Sequence, residues 1–361
     1  MRGWCRTRCA KVGVGESPLR RKGGRIGRGT KLSITCTGVL VVLVLALVLA
    51  WFAVTQPLLT TADVVALPSV DPVRLEAHVR VLAENLIPRD WKHPDNLDRA
   101  AGYIRQEFEA AGARVREQRY EMEGKTYRNV VAVLGPETRE LIVVGAHYDA
   151  FGNFPGADDN ASGVAGLIEL AHSFGKVPLR SRVELVAFAL EEPATMEGPG
   201  LFRGPYGGSA VHAASLLERN ADVRMVLNLE MIGFFSDKED TQRYPMSLME
   251  LLYPSRGDFI AVIGRFGQGD TVRAVKSVLR SASPLPVYSV SAPAFVQGVD
   301  WSDHANYWKA RYKAVMVTDT ALYRNRNYHT IRDKPETLDY ARMAQVVGGV
   351  SAAVQAIAGE D

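Results

Sequence analysis

Cysteine is missing from everything after position 36. The three present are Cys5, Cys9 and Cys36, so the rest of the chain can form no disulfide and offers no thiolate as nucleophile or zinc ligand. Cys5 and Cys9 have no other ligating side chain near them and read as free thiols. Positive charge is scarce over the same stretch. Residues 1–32 hold ten Lys/Arg against one acid, Glu16, whereas the remainder carries 33 basic and 39 acidic side chains, net −6. That acidic body lacks the basic footprint a nucleic-acid binder needs. No internal repeat is visible.

What is present is ordinary for a globular protein: 47% apolar and 23% charged residues in 361, enough for one large α/β domain or two small ones. Val39–Val54 is an unbroken apolar run, and with Thr35–Gly38 it reaches the roughly 20 residues that cross a hydrocarbon core. The basic leader should stay in the cytoplasm and place the body outside, periplasmic or extracellular. A cleaved signal peptide is the rival reading, but its basic region would be unusually long and no A-x-A site follows Val54. The expected organisation is a basic leader (1–32), a transmembrane signal anchor (33–54), a tether (55–69) and a globular body (70–361).

Within the body, Val73–Leu86, Leu97–Ala111, Ala161–Phe174, Thr271–Arg280 and Leu338–Ala358 have helical spacing of apolar residues. Asn129–Leu134, Glu140–Ala146, Arg182–Leu190, Val223–Leu229, Asp258–Ile263 and Lys313–Thr318 read as strands. Apolar strands separated by helices predict a mixed, mostly parallel α/β sheet with helices on both faces. Functional groups in such sheets gather beyond the carboxyl ends of the strands.

Those strand ends carry chemistry. One finishes in His147-Tyr148-Asp149, the next in Glu191-Glu192, the next in Glu230. Gly156-Ala-Asp-Asp159-Asn opens the Ala161 helix, where Asn160 can cap. Histidine nitrogen and carboxylate oxygen suit zinc. Asp149, two residues after His147, reads as the carboxylate that orients its ring rather than as a ligand. Each element alone is an ordinary loop pair, turn or cap. Together they fall at consecutive strand ends in an order that lets them converge.

The ordered set His147-x-Asp149, Gly156-Ala-Asp-Asp159-Asn-Ala-Ser-Gly163, Glu191-Glu192, Asn228-Leu-Glu230-Met-Ile-Gly233, Ser302-Asp303-His304 and Tyr328-His329-Thr330 resembles the M28 family of zinc peptidases over residues 70–358. The resemblance implies a zinc aminopeptidase-like fold and two Zn²⁺ per chain. Asp159 would bridge them, with His147 and Glu230 completing one site and Glu192 and His329 the other. Glu191 would be the general base, activating a water between ions about 3.5–4 Å apart. Tyr328 is a candidate donor to the developing oxyanion. Asp303 and Asp333 are supporting carboxylates, and His304 is read as packing near the site rather than as a ligand.

The resemblance implies an exopeptidase acting on peptides, most simply an aminopeptidase. Carboxypeptidase and dipeptidase activity differ in how a terminal charge is held, and no residue identifies that group. Two alternatives share the fold: a single-zinc glutaminyl cyclase, and a silent binding domain, against which all five implied ligands and the base stand intact. The loop Pro193–Gly208, directly after the carboxylate pair, is expected to wall the substrate pocket through Phe202, Arg203 and Tyr206.

Overall fold

The apolar run folds as helix α1, Arg28–Thr55, in this computed structural model, which describes residues 28–58 and 69–359, with side-chain burial from residue 37 onward. The leader up to residue 27, with Cys5 and Cys9, and residues 59–68 of the tether lie outside the described residues. The chain divides into two units, 1–49 and 50–361. Thr37–Thr55 has a mean hydropathy of 2.8, and its residues are exposed or half-exposed up to the buried Thr55. It is therefore long and apolar enough to cross a membrane.

The second unit begins its helical layer at α2, Pro72–Arg80. Asp71 caps it by accepting from the Val73 N–H, and Pro72 occupies the first turn, where no amide hydrogen is needed. A π turn, Val81–Asn85, extends it before a cis Ile87–Pro88 bond, and α3, Pro94–Ala110, follows. Next come β1 (Arg114–Met122), β2 (Lys125–Leu134) and β3 (Glu140–His147). A π turn over Ala157–Ser162 leads into α4 (Gly163–Phe174), then β4 (Arg182–Phe188), α5 (Gly208–Glu218) and β5 (Asp222–Leu229). The remainder is α6 (Ser247–Glu250), β6 (Ile260–Arg265), α7 (Gly269–Ala282), β7 (Val287–Ala292), α8 (His304–Lys309), β8 (Ala314–Thr318), α9 (Ala321–Arg324) and α10 (Tyr340–Gly359).

The strands form one sheet in the order β1-β2-β4-β3-β5-β8-β6-β7. Pairings β3/β4, β3/β5, β5/β8 and β6/β7 are parallel; β1/β2, β2/β4 and β6/β8 are antiparallel. The sheet is thus mixed and mostly parallel, as its apolar strands predict. Alternation along each strand feeds two cores. Ile142, Val144 and Ala146 pack with α2, α3, α4, α7 and α10, while Leu141, Val143 and Phe188 pack with α5, α8 and Phe202. Gly145 is required between them, because a Cβ there would sit 2.2 Å from the Phe188 ring. Strands β3, β4, β5 and β8 run parallel at the centre, so their carboxyl ends open on one edge.

Two strands, β1 and β7, escape the sequence reading. β1 is charged, lies at the edge and is half-exposed. Its hairpin to β2 turns on Glu123-Gly124, both at positive φ, rather than on the Asn-Gly or Asp-Gly pair that signals such turns. β7 is short and interrupted by Ser289 and Ser291.

Candidate metal centre

The last residue of β3 is His147, fully buried. Its Nδ1 faces the Asp149 backbone carbonyl at 3.2 Å and the Asp149 carboxylate at 3.4 Å. That leaves Nε2 pointing outward, 3.2 Å from Asp159 Oδ1 and 3.4 Å from Glu230 Oε1. The second imidazole, His329, sits at φ 53° after Tyr328. Its Nε2 lies 3.1 Å from Asp159 Oδ2 and 3.0 Å from Glu192 Oε2. Asp159 therefore offers one carboxylate oxygen to each histidine. The structure brings His147, Asp159, Glu192, Glu230 and His329 into one cluster.

These spacings bear on what the cluster can hold. Tetrahedral ligands ~2.0–2.1 Å from an ion stand about 3.3 Å apart, and the four distances run from 3.0 to 3.4 Å. Asp159 Oδ1, Glu192 Oε1 and His329 Nε2 are buried without a hydrogen-bond partner. Ligand atoms of His147, Asp159 and Glu192 all fall within 4.8 Å of one another. The donor set, two imidazoles and three carboxylates, fits zinc. The electrostatics agree. Burial alone would lower His147, but Glu230 and Glu191 hold it well above the ordinary histidine value. Burial opposes His329 too, yet Glu192 and Asp159 raise it to about 10. Burial would raise Asp159, and the imidazoles of His147 and His329 beside it pull it well below the carboxylate range instead. An excess of buried carboxylate demands positive charge, which divalent ions can supply.

Most side chains of the cluster are held by a partner. The Asp149 carboxylate accepts from the N–H groups of Glu191 at 3.0 Å and Glu192 at 3.0 Å, so it braces the strand end after β4 as well as His147. Asp333 accepts from the N–H groups of Asp158 and Asp159 at 3.0 and 3.1 Å. Asn160 Oδ1 caps α4 through the Gly163 N–H and also takes the Met231 N–H, while its Nδ2 donates to Leu229 O. Gly156, at φ 57°, makes room for this turn: a Cβ would come within 2.3 Å of Asp159 O. Asp303 is fully buried at the start of α8, and burial pushes its carboxyl up to about 7. His304 bonds Val299 O at 2.8 Å and packs edge-on against Trp308, away from the cluster.

Glu191 is buried beside the cluster, and burial raises it well above the usual carboxylate value. It lines a cavity with Asp159, Glu230 and Tyr328 at one end. Tyr328 stacks on His329, whose ring also stacks on Phe151. The cavity has about 950 Å³ of empty space, part of it open to solvent. It runs over β6, β7 and β8 between Tyr244, Met249, Tyr253, Phe259, Ile263 and Val290. The loop Pro193–Gly208 does not wall it. Phe202 is buried in the second core, Arg203 pairs with Asp300 at 3.2 Å, and Tyr206 is exposed. Two glycines and the Glu191 carbonyl fold the loop onto α5 and α8 instead. Part of the apolar wall, Tyr244, Met249, Tyr253 and Phe259, comes from the segment 234–259, which has no motif to mark it.

Three supporting residues also lack a sequence signal. Arg89 is fully buried, and its guanidinium donates to the carbonyls of Tyr148, Leu82, Pro155 and Gly156. Burial lowers it to about 10. It ties the end of β3 to the turn bearing Asp159. Ser302 Oγ donates to Glu230 Oε2 and accepts from Asn228 Nδ2, which fixes Glu230 with Oε1 toward His147. Asn228 and Ser302 stand inside quoted motifs, but nothing in their spacing shows that they meet.

The sequence profile of peptidase family M28 matches residues 129–354. The uncharacterized protein YfbL of Escherichia coli (strain K12) is 47% identical over 297 residues, covering 79% of this chain and 89% of its own length. Leucine aminopeptidase 1 of Ajellomyces capsulatus (strain NAm1 / WU24) is 24% identical over 67% of this chain, and the match spans 58% of that protein. Among solved structures, the zinc aminopeptidase BSAP of Bacillus subtilis superposes with a TM-score of 0.62 at 15% identity, over 80% of this chain and 95% of its own. A glutaminyl cyclase of Bacteroides thetaiotaomicron, bound to N-acetylhistamine, gives 0.62 at 18% identity, over 82% and 100%. At these identities the structural likenesses show the fold.

Proposed function

The chain belongs to peptidase family M28, and from that premise we propose that it is a two-zinc exopeptidase releasing N-terminal residues from peptides. The observation that carries the reading is the position of Asp159, with one oxygen toward His147 and the other toward His329. His147, Asp159 and Glu230 would hold one ion; His329, Asp159 and Glu192 the other. When bound, the ions supply Lewis-acid polarisation of the scissile carbonyl and a lowered pKa for water.

The chain's own residues do the rest. Glu191, held by Asp149 through its N–H, takes a proton from the attacking water and returns it to the leaving amine, a role worth about 10²–10⁴-fold. Tyr328 stands at the same end of the cavity, as a donor to the developing oxyanion. The apolar wall between Tyr244 and Val290 takes the side chain of the released residue and favours large apolar ones. The aminopeptidase names of the leucine aminopeptidase and BSAP relatives support release from the N-terminus. Helix α1 is read as an uncleaved anchor with residues 1–32 in the cytoplasm and 70–361 outside.

Metal content of the full chain, purified without chelator, tests the proposal. Two zinc equivalents are expected. One equivalent would favour the glutaminyl cyclase reading, which the fold likeness keeps in view, and none would favour a binding domain. Glu191→Gln should keep both ions and lose about 10²–10⁴-fold in kcat. Loss of metal in that variant would make Glu191 a ligand.

A further inference from the structure

Segment 244–255 connects β5 to β6 and has two faces. Inward, Tyr244, Met249 and Tyr253 line the cavity. Outward, Met246, Leu248, Leu251 and Leu252 are exposed, Leu251 at 82%. Its one charged residue is Glu250. The opposite rim, after β7, repeats the arrangement: Val296, Val299 and Trp301 line the cavity, and Phe295 is 87% exposed. With Trp301, which is also exposed, six large apolar side chains therefore project from the two rims of one apolar cavity, which marks an interaction surface rather than a chance exposure.

The same edge of the sheet holds the end of α1. Ser289 in β7 donates through Oγ to Thr55 O at 2.8 Å, and Lys276 Nζ donates to Thr55 O and Gln56 O at 2.8 and 3.1 Å. The Ser289 carbonyl, in turn, accepts from Tyr253 Oη at 2.8 Å. One residue thus fastens both the last turn of the apolar helix and the base of the exposed segment. No basic side chain lies between Tyr244 and Ser255, so attraction to anionic headgroups is not its mode of contact; insertion of apolar side chains is.

We propose that segment 246–252, with Phe295 and Trp301, dips into the surface of the bilayer that α1 enters, so that the apolar cavity opens at the lipid. Peptides with apolar ends lying on the membrane are then its substrates. The inference rests on reading α1 as an anchor, and its substrate clause rests on the peptidase reading.

The test uses the full chain reconstituted in phosphatidylcholine vesicles with plain or brominated acyl chains. Leu251→Trp should add emission that brominated lipid quenches, unchanged by high salt, whereas Met196→Trp, on another exposed loop, should add emission that it does not. Unquenched emission at long wavelength from Leu251→Trp would overturn the proposal. Blue-shifted but unquenched emission would also overturn it, because a second copy of the chain would then cover the segment. Comparison with Trp51→Phe reads the anchor by itself, so failure of the anchor and failure of the rim contact are told apart. For the substrate clause, Leu248→Ser combined with Leu251→Ser should keep turnover of a soluble aminoacyl anilide and lose roughly tenfold on a vesicle-bound peptide. Equal loss on both substrates would overturn it.

Discussion

Arg89→Met removes the one guanidinium that joins three pieces of backbone behind the metal centre. Its four acceptors are the carbonyls of Leu82, Tyr148, Pro155 and Gly156. Hydrogen bonds from a charged donor contribute about 1.5–3 kcal/mol each, so four exceed about 6 kcal/mol before the desolvation of a fully buried charge, itself several kcal/mol, is subtracted. Removing one side of such an arrangement costs about 3–5 kcal/mol, because the partners stay buried. The expected loss is therefore about 4 kcal/mol, a large share of the ~5–15 kcal/mol that holds a domain together. Arg89→Lys keeps the charge but not the planar fork and can serve fewer of the carbonyls, so it should recover about half. Urea unfolding of the full chain in chelator, followed by circular dichroism, measures both. A midpoint for Arg89→Met that corresponds to less than about 1 kcal/mol would refute the reasoning and show that water replaces the guanidinium.

If two ions bind as proposed, Asp159→Ala should release both together, as read by elemental analysis; one ion still held tightly would contradict a shared carboxylate. Stripping zinc should lower the apparent stability by about 4 kcal/mol relative to metal at a thousandfold over Kd. At about 2 °C per kcal/mol for a chain of this size, the midpoint drops about 8 °C, and an unchanged midpoint would mean that the ions do not bind the folded cluster. Away from the centre, Glu184 is fully buried against His212, Arg219 and Arg182. Burial would raise its carboxyl, but hydrogen bonds from His212 and Arg219 hold it well below the usual range. A carboxyl depressed in the fold contributes stability that is present above the unfolded value of about 4.3 and lost as pH falls toward the folded one. Glu184→Gln should therefore be weaker than the native chain by about 3–5 kcal/mol at pH 7. That gap should narrow below about pH 4 at up to ~1.4 kcal/mol per pH unit, and a gap constant from pH 7 to 3 in denaturant titrations would refute it.

The central sheet was legible because its strands are buried on both faces and so read as apolar runs with few polar interruptions, Glu184 in β4 and Asn228 in β5 among them. That is also why His147, the Glu191-Glu192 pair and Glu230 stood out: each closes such a run. The edges were not legible. β1 is half-exposed and rich in charged side chains that form ion pairs, so no apolar pattern marks it, and β7 carries two serines, one of which, Ser289, fastens the Thr55 end of α1. Local periodicity reports burial, and edge strands have little of it.

The same physics explains which parts of the centre could be read. Ligands need particular atoms, so their residue types are restricted and their order along the chain survives as a pattern. Supports need only a donor or acceptor at the right point, which many residues supply. Arg89 lies 67 residues before Gly156 and Ser302 lies 72 after Glu230, and only the strand order brings either pair together. The substrate wall is further still from a pattern, because any apolar side chain fills it. Phe202 shows the converse error. Its position directly after the carboxylate pair suggested a pocket wall, but Gly200 and Gly207 allow close packing around its ring and backbone, where a Cβ would come within 2.5 and 2.3 Å, and the loop turns into the core. Nearness in sequence to the proposed catalytic pair is weak grounds for a substrate contact, whereas segment 244–255, some fifty residues further on, reaches the cavity because β6 lies beside β8 in the sheet.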